Sequence, residues 1–213
     1  MPKAPVVPSG LLLAALAFTA GTVDGLSVLG LDRVFTANMT GNVVLLGVSA
    51  GRGLGADTLR SATALAGFAA GTVAGHALAG PRPGWGRRTR AALGAELALL
   101  AAFALLWDAH APRLAVIAVA GAAMGLQGGV VNRVGVSGVS ATYVTGTLAA
   151  FLGQVSELTR PDASAARRFG VVLAMAGGAV TAALALRWDA AAAPWIAVAV
   201  VLAALPATKG ART

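Results

Sequence analysis

The residue with the clearest chemical potential in this sequence is Asp24, an acidic side chain inside the apolar run Gly10–Leu31. A charge deep in a membrane-spanning helix is costly, so such a residue usually serves proton coupling, cation binding or substrate recognition. Arg33, Asn38 and Asn42 follow it closely and are its candidate partners. The alternative is a structural carboxylate that bonds or caps a neighbouring helix.

Two polar motifs, about half the chain apart, could line a site for a solute. The first reads ANMTGN over residues 37–42 and the second ATYVTGTL over residues 141–148. Asn and Thr side chains suit the starts of helices, and the glycine lets another group approach the backbone. The predicted pathway residues are Asp24, Asn38, Thr40, Gly41, Asn42, Gln127, Thr142, Thr145, Gly146 and Thr147.

Broken helices at these motifs would favour polar or anionic solutes. A helix start carries unpaired amides and the positive end of the helix dipole. Irregular backbone at membrane depth is tolerated only where it lines a cavity or is buried in protein. The alternative is that Thr and Asn simply hold helices together.

The composition indicates that these motifs belong to a membrane protein. Hydrophobic residues make up 57% of the 213-residue chain and charged residues only 11%, against about a quarter charged in soluble domains. The net charge of +8 fits arginines that contact lipid headgroups rather than nucleic acid. With no cysteine, no metal-ligand spacing and no nucleophile–base pair, the sequence predicts neither an enzyme nor a cofactor or metal site.

The chain divides into eight apolar runs, which predicts an all-α integral membrane protein. Most are about as long as a spanning helix. Glycines spaced four apart, at 67, 71 and 75 and at 121, 125 and 129, predict close helix packing. The runs are Gly10–Leu31, Val34–Ala50, Ser61–Gly80, Ala91–Trp107, Leu114–Asn132, Val134–Ser156, Phe169–Leu186 and Ala190–Thr208.

An internal repeat divides the chain into two halves, residues 1–110 and 111–213, which form one membrane domain. Residues 21–42 resemble residues 125–147 in their glycines, their single arginine and their Thr-Gly-polar ending. If runs two and six enter the membrane and return to the same side, eleven basic residues lie on one face of the membrane and five on the other. Because basic residues favour the cytoplasmic face, this bias favours runs two and six as re-entrant segments. Each half then has three spanning helices and one broken segment. An odd number of spans makes the repeats inverted, with both termini cytoplasmic.

Glu96 and His76 are predicted to be structural. Glu96 lies close after Arg87, Arg88 and Arg90, so its side chain could pair with them or extend towards them. His76 lies five residues before Pro81, near the end of an apolar run. Neither residue is predicted to belong to the solute pathway.

The two motifs and the sequence GTVD at residues 21–24 resemble the YoaK-like family of bacterial multi-span membrane proteins, whose function is unknown. Members share an ANMTGN signature and a TTFVTGTL signature, and the resemblance covers nearly the whole chain. They usually carry Gln-Asn where this chain has Gln127 and Gly128. The resemblance implies a multi-span membrane protein and supplies no substrate.

Together these features predict a transporter of a small polar or anionic solute in the bacterial inner membrane, with Asp24 as the candidate proton-coupling group. A passive channel and a non-transporting scaffold or sensor subunit are the alternatives. The expected partners are a small-molecule or ionic substrate and the lipid bilayer, with a homo-oligomer left open.

Overall fold

The computed structural model describes residues 9–134, 146, 152–153 and 163–209, and this part of the chain contains seven helices and no strand. The prediction of an all-α protein is confirmed. The helices are α1 (Ser9–Gly30), α2 (Met39–Gly51), α3 (Gly55–Ala79), α4 (Arg87–Asp108), α5 (Arg113–Val134), α6 (Ala163–Trp188) and α7 (Trp195–Ala207).

Five of these helices, α1, α3, α4, α5 and α6, are long and apolar enough to cross a membrane. The other two have 13 residues each and are therefore about 20 Å long at 1.5 Å per residue. Helix α7 is shorter than the predicted run from Ala190, because Asp189 accepts hydrogen bonds from the amides of Ala191 and Ala192 and holds a turn there. Most of the sixth predicted run, Val134–Ser156, lies outside the described residues.

Side-chain contacts show which helix ends lie together. Asp32, just after α1, contacts Arg60 near the start of α3 at 3.0 Å and also contacts Arg113 at the start of α5. Trp107, near the end of α4, donates to the carbonyl of Ala190 in the turn before α7 at 2.9 Å. We call this side of the bundle the Asp32 end. At the opposite Ser9 end, Trp85 donates to the Ser9 hydroxyl at 3.3 Å.

Helices α3 and α5 run in parallel and form the most extensive helix pair. Their backbones approach so closely that a Cβ on Gly71 would collide with the carbonyl oxygen of Ala122, and one on Gly125 with the carbonyl oxygen of Phe68. The close packing predicted from the four-residue glycine spacing is therefore confirmed. Small residues allow this approach, and in lipid it is the van der Waals contact that holds helices together.

Helices α1 and α6 also run in parallel, and they pack through the corresponding contacts. A Cβ on Gly21 would collide with the carbonyl of Met175, and one on Gly178 with the carbonyl of Phe18. Gly21 in α1 thus corresponds to Gly125 in α5, 104 positions later. Phe68 in α3 corresponds to Met175 in α6, 107 positions later. The two helix pairs are thus packed in the same way.

Candidate polar site at the first helix break

The chain turns back into the bundle directly after α1. Asp32 and Arg33 adopt φ angles of +61° and +62°, in the left-handed region that non-glycine residues rarely occupy. The following residues then descend along α1 until Thr36 lies beside Asp24, about 9 Å below the end of that helix at 1.5 Å per residue. Helix α2 leads back out to the Asp32 end, where Ser49 bonds the hydroxyl of Thr58.

Asp24 holds this descending segment through four hydrogen bonds. Its Oδ1 accepts from the backbone amides of Thr36 and Ala37, both at 2.7 Å, and from the Thr36 hydroxyl at 3.4 Å. Its Oδ2 accepts from the amide of Asn38 at 3.1 Å. The carboxyl group is buried. An ionised carboxylate only accepts hydrogen bonds, so it matches a site in which every neighbour is a donor.

Of the three partners predicted for Asp24, Asn38 is confirmed and the other two, Arg33 and Asn42, are wrong. Arg33 is exposed, and Asn42 bonds another residue instead. Asn38 reaches Asp24 through its backbone amide and not through its side chain. The reason is that the helix break leaves three consecutive amides without helical partners. In a membrane-buried segment such amides must be satisfied within the protein.

Two further side-chain contacts fix the shape of the break. The Asn42 side chain accepts from the amide of Phe35 at 2.9 Å and donates to the Phe35 carbonyl at 2.5 Å. The hydroxyls of Ser27 and Thr36 lie 3.1 Å apart. Gly41 contacts the ring of Phe35, where a Cβ would be too close. The close approach predicted at Gly41 is therefore made by the side chain of Phe35, two residues before the motif.

Helix α2 starts without the predicted side-chain caps. Asn38 occupies the N-cap position, but its side chain makes no capping hydrogen bond. Thr40 lies within the first turn and is exposed. Asp24 instead bonds the amides of Ala37 and Asn38, which precede the helix, and so fixes the backbone that leads into α2.

The other predicted pathway residues belong to the second half. Gln127 is buried in α5 and donates to the carbonyl of Leu16 at 3.0 Å. Leu16 lies about 12 Å from Asp24 along α1, so Gln127 does not join the Asp24 site. Gly146 is exposed. The remaining predicted residues lie outside the described part of the chain; they are Thr142, Thr145 and Thr147.

A cavity of about 480 Å³ opens at the Asp32 end beside the break. The charged residues in its lining come from three elements: the turn after α1, the end of α2 and the start of α3. This cavity could not be predicted from the sequence, because nothing in the sequence links Asp32 to an arginine as far away as Arg60. Its charged lining residues are Asp32, Arg33, Arg52, Asp57 and Arg60.

The prediction that Glu96 pairs with or extends towards the arginines of its own helix was wrong. Its side chain is fully buried, and both carboxyl oxygens lack a hydrogen-bond partner among the residues that the structure describes. Spacing along one helix does not reveal which face is buried, and Glu96 lies on the same face as Leu93 and Leu100. In the described ranges, no three His, Cys, Asp or Glu side chains come together in a way that could hold a metal ion.

Comparison with known proteins supports the conclusion that this chain is a membrane protein. The chain is 38% identical to the UPF0700 transmembrane protein YoaK of Bacillus subtilis (strain 168) over 149 residues, which is 68% of this chain. The match spans 66% of the length of that relative, just under two thirds. No solved structure matches the chain. Residues 12–206 match the family described as "Protein of unknown function (DUF1275)", so the YoaK-like resemblance is confirmed and the chain belongs to that family.

Proposed function

We propose that this protein is a transporter in the bacterial inner membrane that moves a small polar solute between two inverted repeats without reacting with it. The observation that carries the proposal is the break between α1 and α2, which Asp24 holds inside the length of α1. Irregular backbone at such a depth requires a cavity or a protein environment. Transporters use broken helices of this kind as solute sites.

Helix directions support the inverted repeat. Helices α1 and α5 occupy equivalent positions in the two halves, yet α1 ends and α5 begins at the Asp32 end. The recurring glycine contacts of α1 with α6 and of α5 with α3 are those expected of two copies related by a pseudo-two-fold axis.

The charge at the break favours a neutral polar solute over an anion. The N-terminus of a helix carries about half a positive charge, which alone would attract an anion. Here the carboxylate of Asp24 lies at that end of α2 and offsets this charge. Hydroxyl and amide groups, such as those of Thr40 and Asn38, remain near the start of the helix to bond an uncharged solute.

The arginines support an orientation with both termini in the cytoplasm. Positively charged residues favour the cytoplasmic side. The loop between α3 and α4 and the adjoining start of α4, at the Ser9 end, carry Arg82, Arg87, Arg88 and Arg90. The arginines at the Asp32 end are more scattered along the chain, and two of them, Arg60 and Arg113, contact the carboxylate of Asp32.

Solute flux into proteoliposomes tests the proposal. Stopped-flow light scattering would measure the entry of glycerol, urea and chloride into vesicles with and without the protein. We expect faster entry of a neutral solute, with little effect on chloride. Thr40→Trp should block the flux by filling the space at the start of α2, while Val73→Trp, at an exposed apolar position of α3, should not.

The same vesicles distinguish the alternative functions. Flux that responds to an imposed pH gradient indicates proton coupling, and flux that ignores it indicates a passive channel. If every solute enters at the rate of empty vesicles, the proposal is contradicted and a scaffold or sensor role is favoured.

A further inference from the structure

Glu96 is a second ionisable residue in the membrane region, and its surroundings differ sharply from those of Asp24. Four hydrogen bonds satisfy the Asp24 carboxylate. The Glu96 side chain is as deeply buried, yet neither of its oxygens has a partner in the described ranges. An ionised carboxylate left unpaired in an apolar core is very unfavourable, so it must gain a proton or a cation.

A second unpaired oxygen lies at the same depth as Glu96. Gln127 donates its amide hydrogen to Leu16, but its Oε1 is buried without a partner in the part of the chain described. Helices α4 and α5 form an antiparallel hairpin. Glu96 lies about 18 Å and Gln127 about 21 Å from the Asp32 end of their helices, at 1.5 Å per residue. Side chains lean towards the start of their own helix, and these two helices are antiparallel. The ends of the Glu96 and Gln127 side chains therefore lie at nearly the same level along the bundle axis.

No described charged group is placed to balance Glu96. Arg90, the nearest arginine of its own helix, lies six residues before it and therefore about 9 Å nearer the Ser9 end at 1.5 Å per residue. Helix α5 carries charge only at its ends, α7 carries none, and α3 carries charge near its start and His76 near its end. The groups concerned are Arg87, Arg88, Arg90, Asp108, Arg113, Arg133, Asp57, Arg60 and His76.

We infer that Glu96 takes up and releases a proton inside the bundle, and that it is the coupling carboxyl group of the transport proposed above. The proton comes from water and returns to water, and no other bond is made or broken. In the protonated state, the Glu96 O–H donates a hydrogen bond to Oε1 of Gln127. A metal ion fits less well, because calcium takes six to eight oxygen ligands and magnesium about six. Glu96 and Gln127 together supply three unpaired side-chain oxygens.

Infrared spectroscopy of the purified protein in lipid tests this inference directly. Difference spectra recorded across a pH titration would follow the C=O stretch of a protonated carboxylic acid. The chain has eight Asp and Glu residues, and the other carboxyl groups also gain protons at low pH, so the Glu96 band is the difference between the wild-type spectrum and that of Glu96→Gln, which keeps the shape of the protonated acid. We expect this difference band at low pH, its loss as the pH rises, and its presence in Asp24→Asn. Identical spectra for the wild type and Glu96→Gln, or a difference band that no pH removes, overturn the inference.

Gln127→Leu provides a second variant that keeps the carboxyl group. Removing the acceptor should shift the C=O band of Glu96 because its O–H loses a hydrogen bond, and an unshifted band contradicts the pairing. These spectra need no solute, so they separate this inference from the transport proposal on which it rests. In vesicles, Glu96→Gln should abolish the response to a pH gradient while downhill solute flux continues, and a retained response overturns the coupling role.

Discussion

The carboxylate of Asp24 accepts a hydrogen bond of 2.7 Å from the backbone amide of Thr36, twelve residues further along the chain. This bond sets how deep the chain descends after α1 and therefore where α2 begins. The role of Asp24 in the fold is thus to satisfy the amides of a helix break, and any role in solute binding depends on the shape that it maintains.

Removing the acceptor at position 24 should destabilise the protein strongly. Asp24→Ala leaves three buried amides unpaired, at about 1–3 kcal/mol for each, so a loss of more than about 3 kcal/mol is expected. Asp24→Asn keeps one acceptor oxygen and should have a smaller effect. Thermal unfolding in detergent, followed by size-exclusion chromatography, measures both variants.

The matched control is Asp57→Asn, because Asp57 is an exposed carboxylate that pairs with Arg60 three residues later. Exposed pairs of this kind contribute at most about 1 kcal/mol. If Asp24→Ala unfolds at the same temperature as the Asp57 variant, the hydrogen bonds of Asp24 do not hold the break.

Asn42 should be far more sensitive to substitution than Asn38. The Asn42 side chain bonds both backbone groups of Phe35, so Asn42→Ala should cost about 2–6 kcal/mol, the sum for two backbone groups left unpaired. Asn42→Asp also removes a donor and places an oxygen against the Phe35 carbonyl. Asn38→Ala should be nearly neutral because that side chain caps nothing. Equal unfolding temperatures for the Asn42 and Asn38 variants would contradict this assignment.

The sequence predicted the helices and the position of the break, but not the contacts of the break. The apolar run Gly10–Leu31 matches α1 to within one residue, since length and hydropathy determine a spanning helix. It could not be predicted that Asp24 bonds backbone amides, because almost every residue has one and the sequence does not show which amides lack helical partners. A side chain such as Arg33 looks equally suitable in sequence, yet it is exposed.

Long-range contacts account for the other differences. Glu96 follows three arginines on one helix, and only the packing of α4 shows that its face is buried. The contact of Asp32 with Arg60 joins residues from two different helical regions. In both cases the missing information was which helices pack together, and a single sequence shows this weakly except through glycine spacing.

Glycines at equivalent positions in the two halves should respond alike to substitution. Gly21→Ala and Gly125→Ala each drive a Cβ into a backbone carbonyl, so each should lower stability by about 1–3 kcal/mol. Gly94→Ala is the control, since its Cβ would meet no described atom within 4 Å. Alanine there should leave stability unchanged or raise it by up to about 1 kcal/mol. A Gly125→Ala variant as stable as the Gly94 variant would contradict the close α3–α5 contact.

Single cysteines should label the two ends of the bundle from opposite sides of the membrane. The chain has no native cysteine, so each substitution reports one position. Gly51→Cys and Ala109→Cys, both at exposed positions of the Asp32 end, should react with an impermeant maleimide from the periplasmic side of intact cells. Gly86→Cys, at the Ser9 end, should react only after the cells are opened. Labelling of positions 51 and 109 from different sides would contradict their shared location at the Asp32 end.

Thiol accessibility at the start of α2 decides whether the break faces water inside the membrane, as the transport proposal requires. Thr40 lies in the first turn of α2 and is exposed, and the control is Val73, an exposed apolar residue of α3. We expect Thr40→Cys in native membranes to react with a small charged methanethiosulfonate reagent, while Val73→Cys does not. If Thr40→Cys is as unreactive as Val73→Cys, the break faces no aqueous path and the transport proposal is contradicted.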